Sequence, residues 1–218
     1  MKACLMTPED ACKFTDSICR IAPVIPVLVI EDATLAEPLA EALISGGLPT
    51  LEVTLRSAAA LDAIKAMSKV AGATVGAGTL LSAQNVWAAK RAGAVFGVSP
   101  GATDGLLQAC EDSEMPLLPG AATATEVMRL MERGYRLQKF FPAEASGGVP
   151  ALKSIGGPLP QVTFCPTGGI GLANAAKYLA LSNTVCVGGS WVAPKALVDK
   201  RDWQAIEALA RQAAQLLG

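Results

Sequence analysis

Histidine is absent from all 218 residues. That single absence removes the Ser-His-Asp triad, the Cys-His pair and every His-based metal site, whatever the fold. Acid–base chemistry here must run through Glu, Asp, Lys, Tyr, Cys or water. Excess charge is also missing: 18 Lys and Arg stand against 19 Asp and Glu, for a net charge of −1. Nothing in that balance attracts nucleic acid or an anionic membrane surface. No stretch reaches the ~18 uninterrupted apolar residues of a membrane helix. Residues 1–20 carry acids and lack an apolar core segment, so no signal peptide is expected. The six cysteines, Cys4, Cys12, Cys19, Cys110, Cys165 and Cys186, show no CxxC spacing. Set in apolar helix-like or strand-like runs, they read as free buried thiols of a reducing cytoplasm. Cys12 and Cys19 lie seven apart on one helix face, the spacing of packing residues rather than ligands.

What is present is a repeat. Apolar residues make up 51% of the chain, broken every few positions by Gly, Pro or charge. Strand-like runs begin near Val24, Thr50, Thr74, Val95, Leu117, Leu137, Val162 and Thr184, about 20 to 26 residues apart. Between them lie Ala-rich helical segments at 34–45, 58–70, 82–92, 103–112, 123–133, 149–155 and 172–181, and a last helix is expected over 203–217. Eight strands alternating with helices argue for a parallel sheet, and eight units in this length for a (β/α)8 TIM barrel. An open doubly wound sheet would need a Gly-rich fingerprint after its first strand, and Val29-Ile30-Glu31-Asp32 is not one. Residues 8–20 read as a short leading helix, with Thr7 as N-cap and Pro8 at its first position. The expected organisation is one domain, a leading helix over 1–20 and a barrel over 21–218. Pro26 inside the first run suggests a rim position or an irregular start.

Two strands carry charge where apolar residues are expected. In Leu137-Gln138-Lys139-Phe140-Phe141-Pro142, alternation puts Leu137, Lys139 and Phe141 on one face. A lysine there either snorkels to solvent or is buried. Burial disfavours an ammonium, and a neutral amine attacks a ketone to form a Schiff base. In Thr50-Leu51-Glu52-Val53-Thr54-Leu55-Arg56, if the apolar face packs on helices, Glu52 points into the barrel. Arg56 then reaches the mouth, roughly 13 Å further along. Without histidine, Glu52 is the natural proton shuttle; a structural ion pair with Lys139 or Arg56 is the alternative.

Weaker signals gather at the strand ends. Gly76 and Gly78 let a ligand or backbone approach closely, and Thr79 is either a carboxylate ligand or a helix N-cap. Pro100-Gly101 and Pro119-Gly120 read as turns. Thr167-Gly168-Gly169 and Gly188-Gly189-Ser190 close the last two units. Loops at those positions of a barrel often cradle phosphate with backbone N–H groups, although paired glycines also serve plain turns.

These stretches together resemble bacterial 2-keto-3-deoxy-6-phosphogluconate (KDPG) aldolase and 4-hydroxy-2-oxoglutarate (KHG) aldolase. The likeness rests on Leu51 to Arg56, Val75 to Thr79, Lys139 to Glu144, Cys165 to Ile170 and Gly188 to Trp191, and runs from about Ile21 to the C-terminal helix. It implies a class I lyase on a (β/α)8 barrel, without metal or cofactor, homotrimeric and cytoplasmic. By that likeness Lys139 forms the Schiff base and Glu52 moves protons. Arg56, Thr79 and Thr167 would surround the pyruvyl carboxylate, and Pro100 and Phe141 would line the pocket. Gly168, Gly169, Gly188, Gly189 and Ser190 would hold the phosphate of a small phosphorylated 2-keto acid. The rival readings are a sugar-phosphate epimerase or metal-dependent aldolase, both of which commonly need ligands this chain lacks, and a non-catalytic phosphometabolite-binding barrel.

Overall fold

The computed structural model describes residues 7–216. Cys4, the first six positions of the leading segment and Leu217, the expected end of the last helix, lie outside the described residues.

The strands are β1 (Val24–Leu28), β2 (Thr50–Thr54), β3 (Thr74–Gly78), β4 (Phe96–Val98), β5 (Leu117–Leu118, resuming at Gly120–Ala121), β6 (Leu137–Phe140), β7 (Thr163–Pro166) and β8 (Val187–Gly189). All pairings among them are parallel, and β8 returns to pair with β1 through Val24↔Val187, Ile25↔Gly188 and Pro26↔Gly189. The seam between β7 and β8 is held by two bridges, Phe164↔Thr184 and Thr167↔Gly188. The ring is therefore the (β/α)8 barrel the repeat predicts. Two details differ from expectation. Pro26 is not at a rim: residues up to it pair with β8, and Val27 and Leu28 pair with β2. Its missing N–H falls where the strand changes partners. Pro119-Gly120 is not a turn either, since the strand resumes at Gly120 beside Lys139. Gly120 is required there, because a methyl would overlap the carbonyl of Pro100 and lie 2.7 Å from the nitrogen of Gly101.

The helices start where capping side chains end the strand–helix loops. Ser82, Thr103 and Thr123 each accept a hydrogen bond from a backbone N–H in the first turn. At Thr123 the Glu126 carboxylate accepts in return from the Thr123 N–H, completing a capping box. The segment expected over 172–181 is helical only at Ala175–Leu179, and a short helix at Lys195–Asp199 carried no sequence signal.

Two apolar cores follow from strand alternation. Outward residues, including Leu51, Val53, Phe140 and Phe164, pack on the helices. Phe140 and Phe164 meet edge to face at 6.4 Å. Inward residues Ile25, Phe96, Val98, Leu118, Leu137, Cys165 and Cys186 fill the barrel and are joined by Ile18 and Cys19 of the leading helix α1 (Pro8–Cys19). The hydroxyl of Thr50, the first residue of β2, donates to the carbonyl of Ile18 at 3.0 Å. Helix α1, capped by Thr7 as its sequence predicts, thus closes the N-terminal floor of the barrel.

Candidate active site

Register sets the two chemical residues at matching depth. Glu52 is level with Val27 and Gly76; Lys139 is level with Gly120 and Cys165. Lys139 Nζ donates to Glu52 Oε1 at 3.2 Å across the interior, joining residues 87 apart in sequence. Lys139 is only 5% exposed and Glu52 only 3%. The amine does not snorkel. Burying either charge alone would be costly, so each makes the other's burial tolerable. Nζ also lies 5.2 Å from the centroid of the Phe141 ring, within cation–π range. Arg56 is not the partner of Glu52. It is exposed at the rim, and its Nε donates to Thr54 Oγ1 at 3.2 Å. Thr54 in turn donates to the Leu28 carbonyl at 2.8 Å.

The glycines of β3 make room for side chains rather than for a ligand or another backbone. A methyl at Gly76 would collide with the Phe96 ring. One at Gly78 would overlap Glu52 Oε1 and lie 2.7 Å from Cγ and 2.8 Å from Cδ of the same residue. Gly78 is thus the surface against which the carboxylate rests. Thr79 follows at φ 61, a conformation that costs a β-branched residue free energy and that clusters at functional sites. Thr79 is not the helix N-cap, a role Ser82 takes.

Thr167 is buried beyond Cys165, and its side chain occupies the space that the lack of a Cβ at Gly188 leaves open. Gly189 likewise makes room for the Trp191 indole. Gly168 and Gly169 take positive φ of 102° and 76°. A methyl at Gly168 would stand 3.3 Å from Phe141 Cδ2, which places this loop directly beside the lysine strand. Among the described residues, no acceptor takes the N–H of Gly169 or Ser190, while that of Gly168 faces Gly188 across the Thr167↔Gly188 bridge. Ser190 is exposed and opens onto a cavity of about 610 Å³ shared with Val27, Glu31 and Lys195. Pro100 lies against Gly120, whose register partner is Lys139. Lys139 therefore contacts both Glu52 and Phe141, while Thr79, Pro100, Thr167 and the glycine loops lie around them toward the C-terminal mouth. Arg56 and Ser190 stand at its edge.

Cys19, Cys165 and Cys186 meet inside the barrel. Contacts with Cys165 and Cys19, then burial, hold the Cys186 thiol well above its ordinary range. The described cysteines are all free. Sequence reasoning missed one pair at the mouth: the Tyr178 hydroxyl, from the helix after β7, donates to Glu144 Oε1. Glu144 sits in the quoted lysine motif, but nothing marks Tyr178, 34 residues later. Burial, and then the bond to Glu144, raise the Tyr178 phenol above its usual range.

The chain is similar to known proteins in sequence and in fold. The 2-dehydro-3-deoxy-phosphogluconate aldolase of Pseudomonas aeruginosa is 50% identical over 201 residues, covering 92% of this chain and 91% of that protein. The solved structure of the 2-keto-3-deoxy-6-phosphogluconate aldolase of Zymomonas mobilis with 3-phosphoglycerate superposes with a TM-score of 0.90 at 51% identity, over 94% of this chain and 97% of that one. The KDPG aldolase of Legionella pneumophila, with pyruvate captured as a covalent carbinolamine, gives 0.89 at 44% identity, over 92% and 98%. A family model for KDPG and KHG aldolase matches residues 15–209, and so this chain belongs to the KDPG and KHG aldolase family.

Proposed function

We propose that the buried Lys139–Glu52 pair is the catalytic centre of a class I aldolase. It cleaves 2-keto-3-deoxy-6-phosphogluconate to pyruvate and glyceraldehyde 3-phosphate, and 4-hydroxy-2-oxoglutarate to pyruvate and glyoxylate. The observation that carries this reading is the 3.2 Å contact between one amine and one carboxylate inside the barrel. Lys139 Nζ, as the free amine, attacks the C2 ketone to form a carbinolamine. Loss of water from the carbinolamine leaves an iminium, an electron sink for the next step. Glu52, or a water it holds, removes the C4 hydroxyl proton. The C3–C4 bond breaks, the aldehyde departs, and the electron pair passes to an enamine. Protonation at C3 and hydrolysis release pyruvate and regenerate the amine.

Arg56, Thr79 and Thr167 bind the pyruvyl carboxylate and its neighbours, and Phe141 and Pro100 wall the pocket. Gly168, Gly169, Gly188, Gly189 and Ser190 receive the phosphate through backbone N–H groups and one hydroxyl. The trimer and the cytoplasmic location are carried by family likeness, the latter also by the free thiols.

Pyruvate with sodium borohydride is expected to inactivate the protein and add a reduced pyruvyl group to the peptide containing Lys139, read by mass spectrometry. An unmodified peptide, or full turnover by Lys139→Ala, overturns the assignment. Glu52→Gln is expected to keep adduct formation and lose turnover by about 10²–10⁴-fold; undiminished turnover removes Glu52 from the mechanism.

A further inference from the structure

The loop after β7 is held from behind by groups that no step of the chemistry uses. Three successive carbonyls are tied down. Thr167 O accepts from the Ala143 N–H at 2.8 Å, and Gly168 O from the Glu144 N–H at 3.1 Å. Gly169 O accepts from Asn174 Nδ2 at 3.1 Å. In a trans peptide the N–H points opposite to the C=O of the same unit. The tether on Thr167 turns the Gly168 N–H toward Gly188, with which Thr167 forms a bridge, and the other two direct the N–H of Gly169 and of Ile170 away from the side on which each carbonyl is bound. Consecutive N–H groups released in this way form an anion-binding nest.

The stem of Glu144 is the backstop for this nest. A methyl at Gly169 would lie 2.7 Å from Glu144 Cγ and 2.8 Å from Cβ, so the backbone at φ 76° rests on that side chain. Glu144 is exposed overall and would be free to swing, but Tyr178, fully buried in the helix layer, holds its carboxylate by a hydrogen bond. Asn174 adds a second brace, its Oδ1 accepting from the Gly171 N–H at 2.8 Å while its Nδ2 holds Gly169.

We infer that Glu144, Tyr178 and Asn174 are positioning residues that set the preference for phosphorylated over unphosphorylated substrate, with the Ile170 N–H as an additional phosphate donor. The inference rests on the phosphate reading of the Gly168–Gly169 loop proposed above. None of the three touches the reacting carbons. Their loss should therefore appear in KM for one substrate class and not in kcat for both.

The test compares kcat and KM of the full-length protein for 2-keto-3-deoxy-6-phosphogluconate and for 4-hydroxy-2-oxoglutarate, with inorganic phosphate as competitor. Tyr178→Phe, Glu144→Ala and Asn174→Ala are each expected to raise KM for the phosphorylated substrate about tenfold and weaken phosphate inhibition to match, the size of one hydrogen bond to a charged group. Values for the unphosphorylated substrate stay within about twofold. Glu144→Gln keeps an acceptor for Tyr178 and should recover most of the loss. The double variant Glu144→Ala/Tyr178→Phe should be no worse than Glu144→Ala alone, which already breaks the contact that Tyr178→Phe removes. Equal losses on both substrates, or no loss on either, overturn the inference and leave the phosphate reading standing. A wild-type protein indifferent to phosphate removes that reading and this inference with it. Circular dichroism of Tyr178→Phe separates misfolding from a positioning defect, and if that variant fails to fold, the contrast between Glu144→Gln and Glu144→Ala decides.

Discussion

Replacing Gly78 by alanine isolates the contribution of the Glu52 carboxylate's position, because it adds one methyl and leaves every catalytic atom in the chain. Gly78 does not have a positive φ, so alanine is conformationally acceptable there. What the methyl meets is Glu52, with Cγ at 2.7 Å and Cδ at 2.8 Å. Ordinary carbon contacts lie near 3.5–4.0 Å, so the carboxylate must retreat by about 1 Å. Overpacking of this kind costs about 1–3 kcal/mol of stability. A misplacement of about 1 Å at a reacting group costs on the order of 10²-fold in rate. The carboxylate would also move relative to Lys139, with which it now makes its 3.2 Å contact. The expected result is a folded protein whose kcat for pyruvate release falls on the order of 10²-fold, measured by coupling to lactate dehydrogenase. Gly76→Ala is the control. Its methyl collides with Phe96, not Glu52. It should cost stability of the same order while leaving kcat within a few-fold. Equal kcat losses in the two variants, or wild-type kcat in Gly78→Ala, would refute the argument that this glycine exists to seat the carboxylate.

Three further outcomes follow from packing and charge. Phe140→Ala should cost about 3–5 kcal/mol in urea unfolding, since a fully buried ring is removed; a loss below 1 kcal/mol would contradict the assigned packing. Thr123→Ala should cost about 1 kcal/mol by deleting the capping box, or about 2–4 °C in Tm. The N–H groups of Ala122 and Thr123 and the Thr123 hydroxyl hold the Glu126 carboxyl below its ordinary range. Its share of stability is therefore complete above the unfolded pKa near 4.3 and disappears as pH falls through the lower folded value. A Thr123→Ala penalty that does not shrink in acid would count against the box. Burial pushes the Cys110 thiol up to about 12, so iodoacetamide at pH 8 should leave Cys110 unlabelled in the native protein and label it in urea. Labelling at equal rates in both states would show that the site is not sealed.

Most of the barrel and the heart of the site were legible because they rest on short-range periodicity. Alternation along Leu137-Gln138-Lys139 and Thr50-Leu51-Glu52 put both ionisable groups inside, and the strand register brings them into contact. What escaped the sequence depends on distant partners. The spacing of Cys12 and Cys19 revealed a packing face on α1 but not that its target is the barrel floor. Gly76 and Gly78 announced crowding without saying whose atoms crowd them, and these proved to be those of Phe96 and Glu52. The tie between Glu144 and Tyr178 crosses from one strand–helix unit to the next, where no local pattern reaches. Pro26 and Pro119 were read by the general rules that proline marks a rim or irregular start in one case and a turn in the other. Each instead sits where a barrel strand changes neighbours or pauses, and there a missing donor is tolerated.

The helix at the floor fills the barrel from below with Ile18 and Cys19, and the lysine and carboxylate lie toward the other end. A keto acid of the proposed kind must descend keto end first to meet the amine, leaving its aldehyde half nearest the exit. After cleavage the two fragments stand in single file, the aldehyde free and above, the three-carbon piece tethered and below. Pyruvate stays tethered until water hydrolyses the iminium, so the aldehyde, held by no covalent bond, is the fragment free to leave first.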